Sequence, residues 1–359
     1  MFLENENIIN SYLTLMSLVS FLVFLVVQKI SHSRYLRLLL DDDFDKPQAF
    51  HKTQIPRVGG LASVISLFLL FTTFRFFFDY NISAYLIFSL VFFILGFADD
   101  IKIQLKPMTR LLLMVIIIIV PLIFLDVRIY LTGFKFLNNL IEISIFQYIF
   151  LTLCFLFVIN GCNLTDGFNG LLIIHLIIIN SILLAISLGS QNDNFSYLLI
   201  GQIFIMFCFL VFNFPTPKMF MGDSGAYLFG AITSLNTINT SLFSEQISPI
   251  FFAGLLSYLF FEVFFSFFRK LKNGLSPLKP DPNHFHMLVF KKINNLGIKY
   301  SNSITSLIIN IAFIILTIPL IFFKNNGVAC KIWFLIFILL YLLSYYFLKV
   351  KKENFYENN

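Results

Sequence analysis

Residues able to do chemistry are few in this chain, and they gather in short polar stretches. Gly96 to Asp100 reads "GFADD" and sets the adjacent carboxylates Asp99 and Asp100 ahead of Lys102, Lys106 and Arg110. Adjacent carboxylates repel, and burying either one costs energy unless a cation or donor compensates. Carboxylates beside several cations suit a site that handles phosphates with a divalent metal, because Mg²⁺ prefers one or two carboxylates plus phosphate oxygens. "NGCNLTDGFNGL", Asn160 to Leu171, adds Asn160, Asn163, Asp166 and Asn169 among glycines. "NFPTPKMFMGDSGAYLFG", Asn213 to Gly230, holds Asp223 in a Gly-Asp-Ser-Gly turn that begins at Gly222. Capping of a helix start accounts for one Asp or Ser there, but not for the Pro-Thr-Pro-Lys lead-in. "SPLKPDPNHFHMLVFKK", Ser276 to Lys292, brings His284 and His286 near Asp281 among lysines, where contact with phosphate or nucleotide competes evenly with simple solvation. In "DDDFDKPQAFHKTQIPRVGG", Asp41 to Gly60, the acidic run 41–45 reads as a solvated loop. His51, Lys52 and Arg57 are less easily dismissed, since they stand beside a Pro and paired glycines that let backbone approach a ligand.

The elements that must position these stretches are set by composition. The 359 residues are 58% hydrophobic and 12% charged, against about 25% charged in soluble domains. Many apolar runs reach the roughly 20 residues that cross a ~30 Å hydrocarbon core, and the alternation of a membrane β-barrel is absent. The reading is an all-α, polytopic integral membrane protein. Helices are expected over 12–30, 60–78, 82–97, 108–125, 143–159, 171–188, 197–214, 226–243, 250–268, 304–323 and 328–348, about eleven transmembrane helices. The eighth, around "TSLNTINTSLF", is weakly apolar and needs protein neighbours. No cleavable signal is evident, so the first apolar run is expected to remain as a span.

With eleven spans, all but five of the 25 Lys and Arg fall on one side; the five are Arg75, Arg128, Lys135, Lys324 and Lys331. The positive-inside rule makes the rich side cytoplasmic, with the N-terminus outside and the C-terminus cytoplasmic. The net charge of +6 then reflects topology and anionic lipid headgroups, not nucleic-acid binding. One domain, 1–359, is the simplest organisation, with cytoplasmic loops at 31–59, 99–110, 160–170, 215–225 and 269–302. All the polar stretches share that face. A transporter places polar groups at mid-membrane and opens to both sides; a one-sided arrangement fits an enzyme joining a soluble substrate to a lipid one.

Other residues weigh less. Glu262 and Arg269 lie seven apart, on one face of their helix, and a functional role is balanced by a structural ion pair snorkelling to the interface. His175 has no clustered partner and reads as packing. Cys154, Cys162, Cys208 and Cys330 show neither metal nor disulfide spacing and read as small core residues.

In this order and on one side, the motifs resemble those of the polyprenyl-phosphate N-acetylhexosamine-1-phosphate transferases, over about Asp45 to Lys292. "HKTQIPRVGG" looks like the family's first loop motif, "GFADD" its paired aspartates, "NGCNLTDGFNGL" its Asn-x-x-Asn-x-x-Asp-Gly-x-x-Gly motif, "FMGDSGA" its Phe-Met-Gly-Asp signature and "PDPNHFH" its histidine loop. The resemblance implies transfer of a sugar-1-phosphate from a UDP-N-acetylhexosamine to undecaprenyl phosphate with release of UMP. It implies Mg²⁺, with Mn²⁺ as a substitute, a bacterial inner membrane and an active site on the cytoplasmic face; it also admits a homodimer. Carried over, Asp99, Asp100, Asp166 and Asp223 are the catalytic carboxylates, with Asp223, Asp99 and Asp100 at the metal. Lys52, Lys102, Arg110, Asn160, Asn163, Asn169, Gly222, His284 and His286 are the substrate-binding set. Many members carry a second aspartate where this chain has Asn169, so a charge is lost there. "PDPNHFHML" looks more like members that transfer GlcNAc-1-phosphate to begin O-antigen, common-antigen or wall-polymer synthesis than the muramoyl-pentapeptide transferases, which remain the alternative. A lipid transporter or scaffold on the same fold is the non-enzymatic alternative.

Overall fold

The structure, a computed structural model, describes residues 6–31, 39–41, 54–103, 105–190, 192–277 and 281–356. The acidic run 42–45, His51 and Lys52 lie outside the described residues. Among the described residues the chain is almost wholly helical: α1 (Glu6–Ile30), α2 (Gly59–Phe78), α3 (Ser83–Asp100), α4 (Pro107–Phe124), α5 (Lys135–Ile141), α6 (Ser144–Thr165), α7 (Leu171–Ser187), α8 (Asp193–Asn213), α9 (Gly222–Phe243), α10 (Pro249–Leu255), α11 (Ser257–Lys272), α12 (Phe285–Asn294), α13 (Ser301–Phe322) and α14 (Gly327–Tyr356). The all-α expectation needs one amendment. Strands β1 (Leu40–Asp41) and β2 (Ile55–Pro56) form a short antiparallel ladder, and the Pro56 carbonyl accepts the Phe220 N–H at 2.9 Å.

Eight of these helices are long and apolar enough to cross a membrane, or nine when α10 and α11 count as one broken span. Each expected helix has a counterpart, but three differ in kind. The expected 250–268 helix is split into α10 and α11, bent by 70°. The helix at α7 is apolar but only 17 residues long. The third is α9, which is more polar than a lipid-facing span because it has almost no lipid to face: Gly222 and every residue from Ser224 to Ile238 are buried. Its polar side chains are satisfied inside the protein, as the sequence required. Asn236 Nδ2 donates to Asn180 Oδ1 at 2.7 Å and to Gln202 Oε1 at 2.6 Å, and the Tyr85 hydroxyl donates to Asn236 Oδ1 at 2.8 Å. That network ties α9 to α3, α7 and α8. By contrast, Ile332, Leu335, Leu339 and Leu343 on α14 form an exposed stripe at helical spacing, as suits a peripheral helix against lipid tails.

Lipid tails are as apolar as leucine, so helix association inside a membrane depends on close packing and hydrogen bonds rather than on burial from water. The core uses small residues accordingly. A Cβ placed on Gly60 of α2 would lie 2.5 Å from the Gly225 nitrogen of α9, and one on Gly96 of α3 would lie 2.5 Å from the Asp223 carbonyl carbon. Both contacts press neighbouring backbones against the first turn of α9. The Gly59 and Gly60 N–H groups also donate to the Phe220 and Met221 carbonyls at 2.9 and 2.8 Å. The start of α9 is therefore pinned where the ends of α3 and α6 and the starts of α2 and α4 converge.

Candidate active site

The site is built outward from the first turn of α9. Gly222 opens it with φ +74, a left-handed conformation, and a Cβ there would sit 2.6 Å from Asp100 Oδ2. Both constraints demand glycine. A helix start leaves unpaired N–H groups that favour a nearby anion. Here Asp100, only 2% exposed, supplies that anion from another helix. Its Oδ1 accepts the Asp223 N–H at 2.9 Å, and its Oδ2 accepts the Ser224 N–H at 3.0 Å and the Ser224 hydroxyl at 2.5 Å. The Gly222 N–H donates to the Asp166 carboxylate. Three of the four aspartates singled out from sequence thus meet on one helical turn.

Asp99, the neighbour of Asp100, faces a different partner. Arg110 Nη1 lies 3.0 Å from Asp99 Oδ2 and 3.7 Å from Asp223 Oδ2, bridging α3, α4 and α9. On the other flank Arg57, just ahead of α2, pairs with Asp41 Oδ2 at 2.8 Å and reaches within 3.9 Å of Asp100 Oδ1. Burial would lower the Arg57 affinity for its proton, yet Asp41, Asp223 and Asp100 together raise it. Burial, followed by the negative charge of Asp223, pushes the Asp166 carboxyl well above the ordinary carboxylate range, while Arg57 opposes this. Among the described residues, Asp99, Asp100 and Asp223 share two cationic partners, Arg57 and Arg110. That excess of negative charge fits a cation. The donor set fits a hard one that keeps other oxygen ligands, because no group of three His, Cys, Asp or Glu could hold a metal unaided among the described residues. Asn163 lies beside the Tyr227 hydroxyl of α9, and its Nδ2 is a buried donor with no hydrogen-bond partner among the described residues.

A second cluster is assembled where α12 begins. His284 Nδ1 lies 2.9 Å from Glu262 Oε2 of α11, the Tyr341 hydroxyl of α14 donates to Glu262 Oε1 at 3.2 Å, and His286 Nδ1 stands 3.9 Å from the same carboxylate. Arg269 pairs closely with Asp281 and donates to the Asn283 carbonyl at 2.8 Å, which anchors the loop ahead of the histidines. Phe168, from the turn that carries Asp166, packs edge-on against His286 with centroids 5.3 Å apart, so the two clusters adjoin.

The structure brings together Asp99, Asp100, Asp166, Asp223, Arg110 and Gly222, with Asn163 at the margin. Several others have different duties. Asn160 Nδ2 donates to the Leu156 carbonyl of its own helix at 2.8 Å. Asn169 Nδ2 donates to the Pro215 carbonyl at 3.1 Å while its N–H donates to Asn302 Oδ1 at 2.7 Å, so it fastens the turn to its neighbours. His286 is fully buried, with neither ring nitrogen hydrogen-bonded among the described residues, and burial takes its pKa down to about 4. Lys102 lies exposed just beyond α3 with φ +64. Arg57, Ser224 and Tyr227 were not in the sequence-derived set. Arg57 had been noted in its loop; Ser224 follows Asp223 directly, and only the packing of α3 on α9 turns its hydroxyl into a site residue.

Comparison with known proteins matches residues 82–241, which span α3 to most of α9, to the profile of glycosyl transferase family 4. The chain is 31% identical over 311 residues to a phospho-N-acetylmuramoyl-pentapeptide-transferase of Prochlorococcus marinus, covering 79% of this chain and 84% of that one. It is 28% identical to an undecaprenyl-phosphate alpha-N-acetylglucosaminyl 1-phosphate transferase of Thermotoga maritima, covering 69% and 73%. A probable undecaprenyl-phosphate N-acetylglucosaminyl 1-phosphate transferase of Bacillus subtilis is 25% identical, covering 82% and 79%. Likeness at that level over most of both chains, with the aspartates converging on one helix start in a polytopic helical membrane protein, settles the family: the chain is a sugar-1-phosphate transferase belonging to glycosyl transferase family 4.

Proposed function

We propose that the chain transfers N-acetylglucosamine-1-phosphate from its UDP-sugar to undecaprenyl phosphate on the cytoplasmic face of a bacterial inner membrane, releasing UMP. The observation that carries this reading is the excess of carboxylates around the first turn of α9, flanked by Arg57 and Arg110. The names of the relatives supply the lipid and sugar classes, and the lysine and arginine distribution supports the side. The short histidine loop favours the N-acetylglucosamine donor over the pentapeptide one.

The roles differ from residue to residue. Asp100 is a positioning group, since α9 engages both its oxygens. Asp223, with Asp99 beside it, would hold Mg²⁺, which when bound offsets phosphate charge and aligns the reacting groups. Arg57, Arg110 and Lys102 offset the remaining diphosphate charge. The unpartnered Asn163 amide is placed to donate to the nucleotide. A lipid phosphate oxygen attacks the β-phosphorus; a new P–O bond forms, the bond to the oxygen bridging the α-phosphate breaks, and UMP leaves with that oxygen. With a second pKa of about 6, a phosphate monoester is nucleophilic near neutrality without a strong base, which favours direct attack over a phospho-aspartate. In-line positioning and charge stabilisation then supply most of the rate.

Purified full-length chain, given undecaprenyl phosphate, Mg²⁺ and a panel of UDP-sugars, tests this by UMP release. UMP from UDP-N-acetylglucosamine only when the lipid is present is the expected result. Release from UDP-MurNAc-pentapeptide alone would overturn the donor assignment, and a phosphorylated enzyme formed without lipid would overturn direct attack.

A further inference from the structure

We infer that Glu262 is a positioning residue for the transfer reaction: it fixes the ring of His284 so that only Nε2 is presented to the sugar-nucleotide. The inference rests on the reading that His284 faces the donor substrate. Glu262 is 1% exposed and His284 2% exposed, so of the two readings weighed for Glu262, a functional role and an ion pair with Arg269 snorkelling to the interface, the second does not describe it. A buried carboxylate is expensive to keep, and an apolar residue of similar size would serve packing with less penalty. Here one carboxylate oxygen, Oε2, is directed at His284 Nδ1 at 2.9 Å.

An ionised carboxylate only accepts hydrogen bonds, so Nδ1 must be the donor. This holds whether the imidazole is neutral or charged, and in both cases Nε2 is left for a ligand. The surroundings preserve the geometry. The Tyr341 hydroxyl donates to the second Glu262 oxygen at 3.2 Å, which stops the carboxylate from rotating away. His286 lies parallel to His284, with 7° between the planes and centroids 5.5 Å apart, while Phe168 packs edge-on against His286. His286 is thus the backing of the arrangement, and His284 is its working face. Arg269 and the Tyr345 hydroxyl both donate to the Asn283 carbonyl, at 2.8 and 3.2 Å, and hold the residue before His284 in place.

The test uses the full-length chain in UMP release with both substrates varied. Glu262→Gln is expected to lower kcat/KM for the UDP-sugar about 10- to 100-fold, the usual range for losing a group that orients a working histidine. The KM for undecaprenyl phosphate should stay within about twofold of wild type. In a His284→Ala background, Glu262→Gln should have no further effect, because its influence passes through that ring. Losses that multiply in the double variant, or a Glu262→Gln protein with wild-type kinetics while His284→Ala is impaired, overturn the inference alone. Wild-type kinetics in His284→Ala overturn the reading on which it rests. Should Glu262→Gln not fold, ¹⁵N spectra of histidine-labelled wild type still decide: a His284 ring carrying its proton only on Nε2 refutes the inference.

Discussion

Replacing Gly96 by alanine probes the joint on which the whole site depends. The added Cβ would sit 2.5 Å from the Asp223 carbonyl carbon, against the 3.4 Å at which ordinary contact begins. The obstacle is backbone, so no rotamer change relieves it, and α3 and α9 must part by about 1 Å, on the order that overpacking shifts produce. Asp100 lies four residues on, and its hydrogen bonds to α9, at 2.5 to 3.0 Å, would stretch to the edge of bonding or beyond. Overpacking typically costs about 1–3 kcal/mol, and weakening bonds to a charged acceptor adds roughly 1.5–3 kcal/mol. A displacement of about 1 Å at reacting groups costs on the order of 100-fold in rate. Gly96→Ala should therefore lower both the melting temperature and UMP release, the latter by about two orders of magnitude. Adding Ser224→Gly should not rescue it, because the clash is with main chain. Gly167→Ala, with nothing within 4 Å of its Cβ, is the control for stability. Wild-type turnover in Gly96→Ala would refute the claim that the α3–α9 contact sets the geometry.

Three further outcomes follow from the same site. Asp223→Asn should abolish Mg²⁺-dependent UMP release while the protein keeps its melting temperature within a few degrees; turnover near wild type would remove Asp223 from the metal role. Asp166→Asn should be inactive yet more stable than wild type in the presence of chelator. The folded state holds the Asp166 carboxyl above its ordinary range, so stability is lost as pH rises; the advantage of the variant should grow towards alkaline pH and vanish below about pH 4, and a pH-independent difference would contradict it. His286, pushed down to about 4, contributes stability above its ordinary value near 6.5, and this is lost as pH falls towards 4, by up to roughly 3 kcal/mol. His286→Phe should therefore retain more of its neutral-pH stability at pH 5 than wild type does, and an unchanged acid limb in thermal melts would count against the buried neutral ring.

Much of the fold was legible because long apolar runs leave helices little alternative in a membrane. Helix α9 was legible in a less direct way. Its serines, threonines and asparagines were wrong for lipid, and that mismatch correctly implied a helix enclosed by others. The break between α10 and α11 was not legible: 250–268 is largely apolar, no proline interrupts it, and Gly254 and Ser257 beside Leu256, where the chain turns, are residues a continuous helix also tolerates. Within the site, spacing placed the aspartates in turns but could not divide their labour. Asp99 and Asp100 are neighbours in sequence, yet a 100° step around the helix sends one to Arg110 and the other under α9. The same limit applies to His284 and His286, where one ring meets the Glu262 carboxylate of α11 and the other is sealed behind it. Asn169 was a departure from a motif; in the structure its amide holds the Pro215 carbonyl.

The division of labour has a physical reason. A divalent cation and a diphosphate need carboxylates whose oxygens are uncommitted, but uncommitted carboxylates repel one another and disrupt the structure that holds them. Asp100 resolves part of that conflict by giving its charge to the N–H groups of α9, and the aligned peptide dipoles of that helix favour negative charge at the same end. Asp223 is then carried on a helix start that is itself fixed by an aspartate, glycine contacts on two flanks and a network further along the same helix. Its carboxylate, approached by Arg110 at 3.7 Å, can stay open to a cation because the backbone beneath it does not need it. The histidine cluster follows the same rule, with Glu262 and His286 buried to hold His284. In both places a buried carboxylate committed to its donors supports a group left able to bind, and this lets a site with so much like charge persist at the end of a helical bundle.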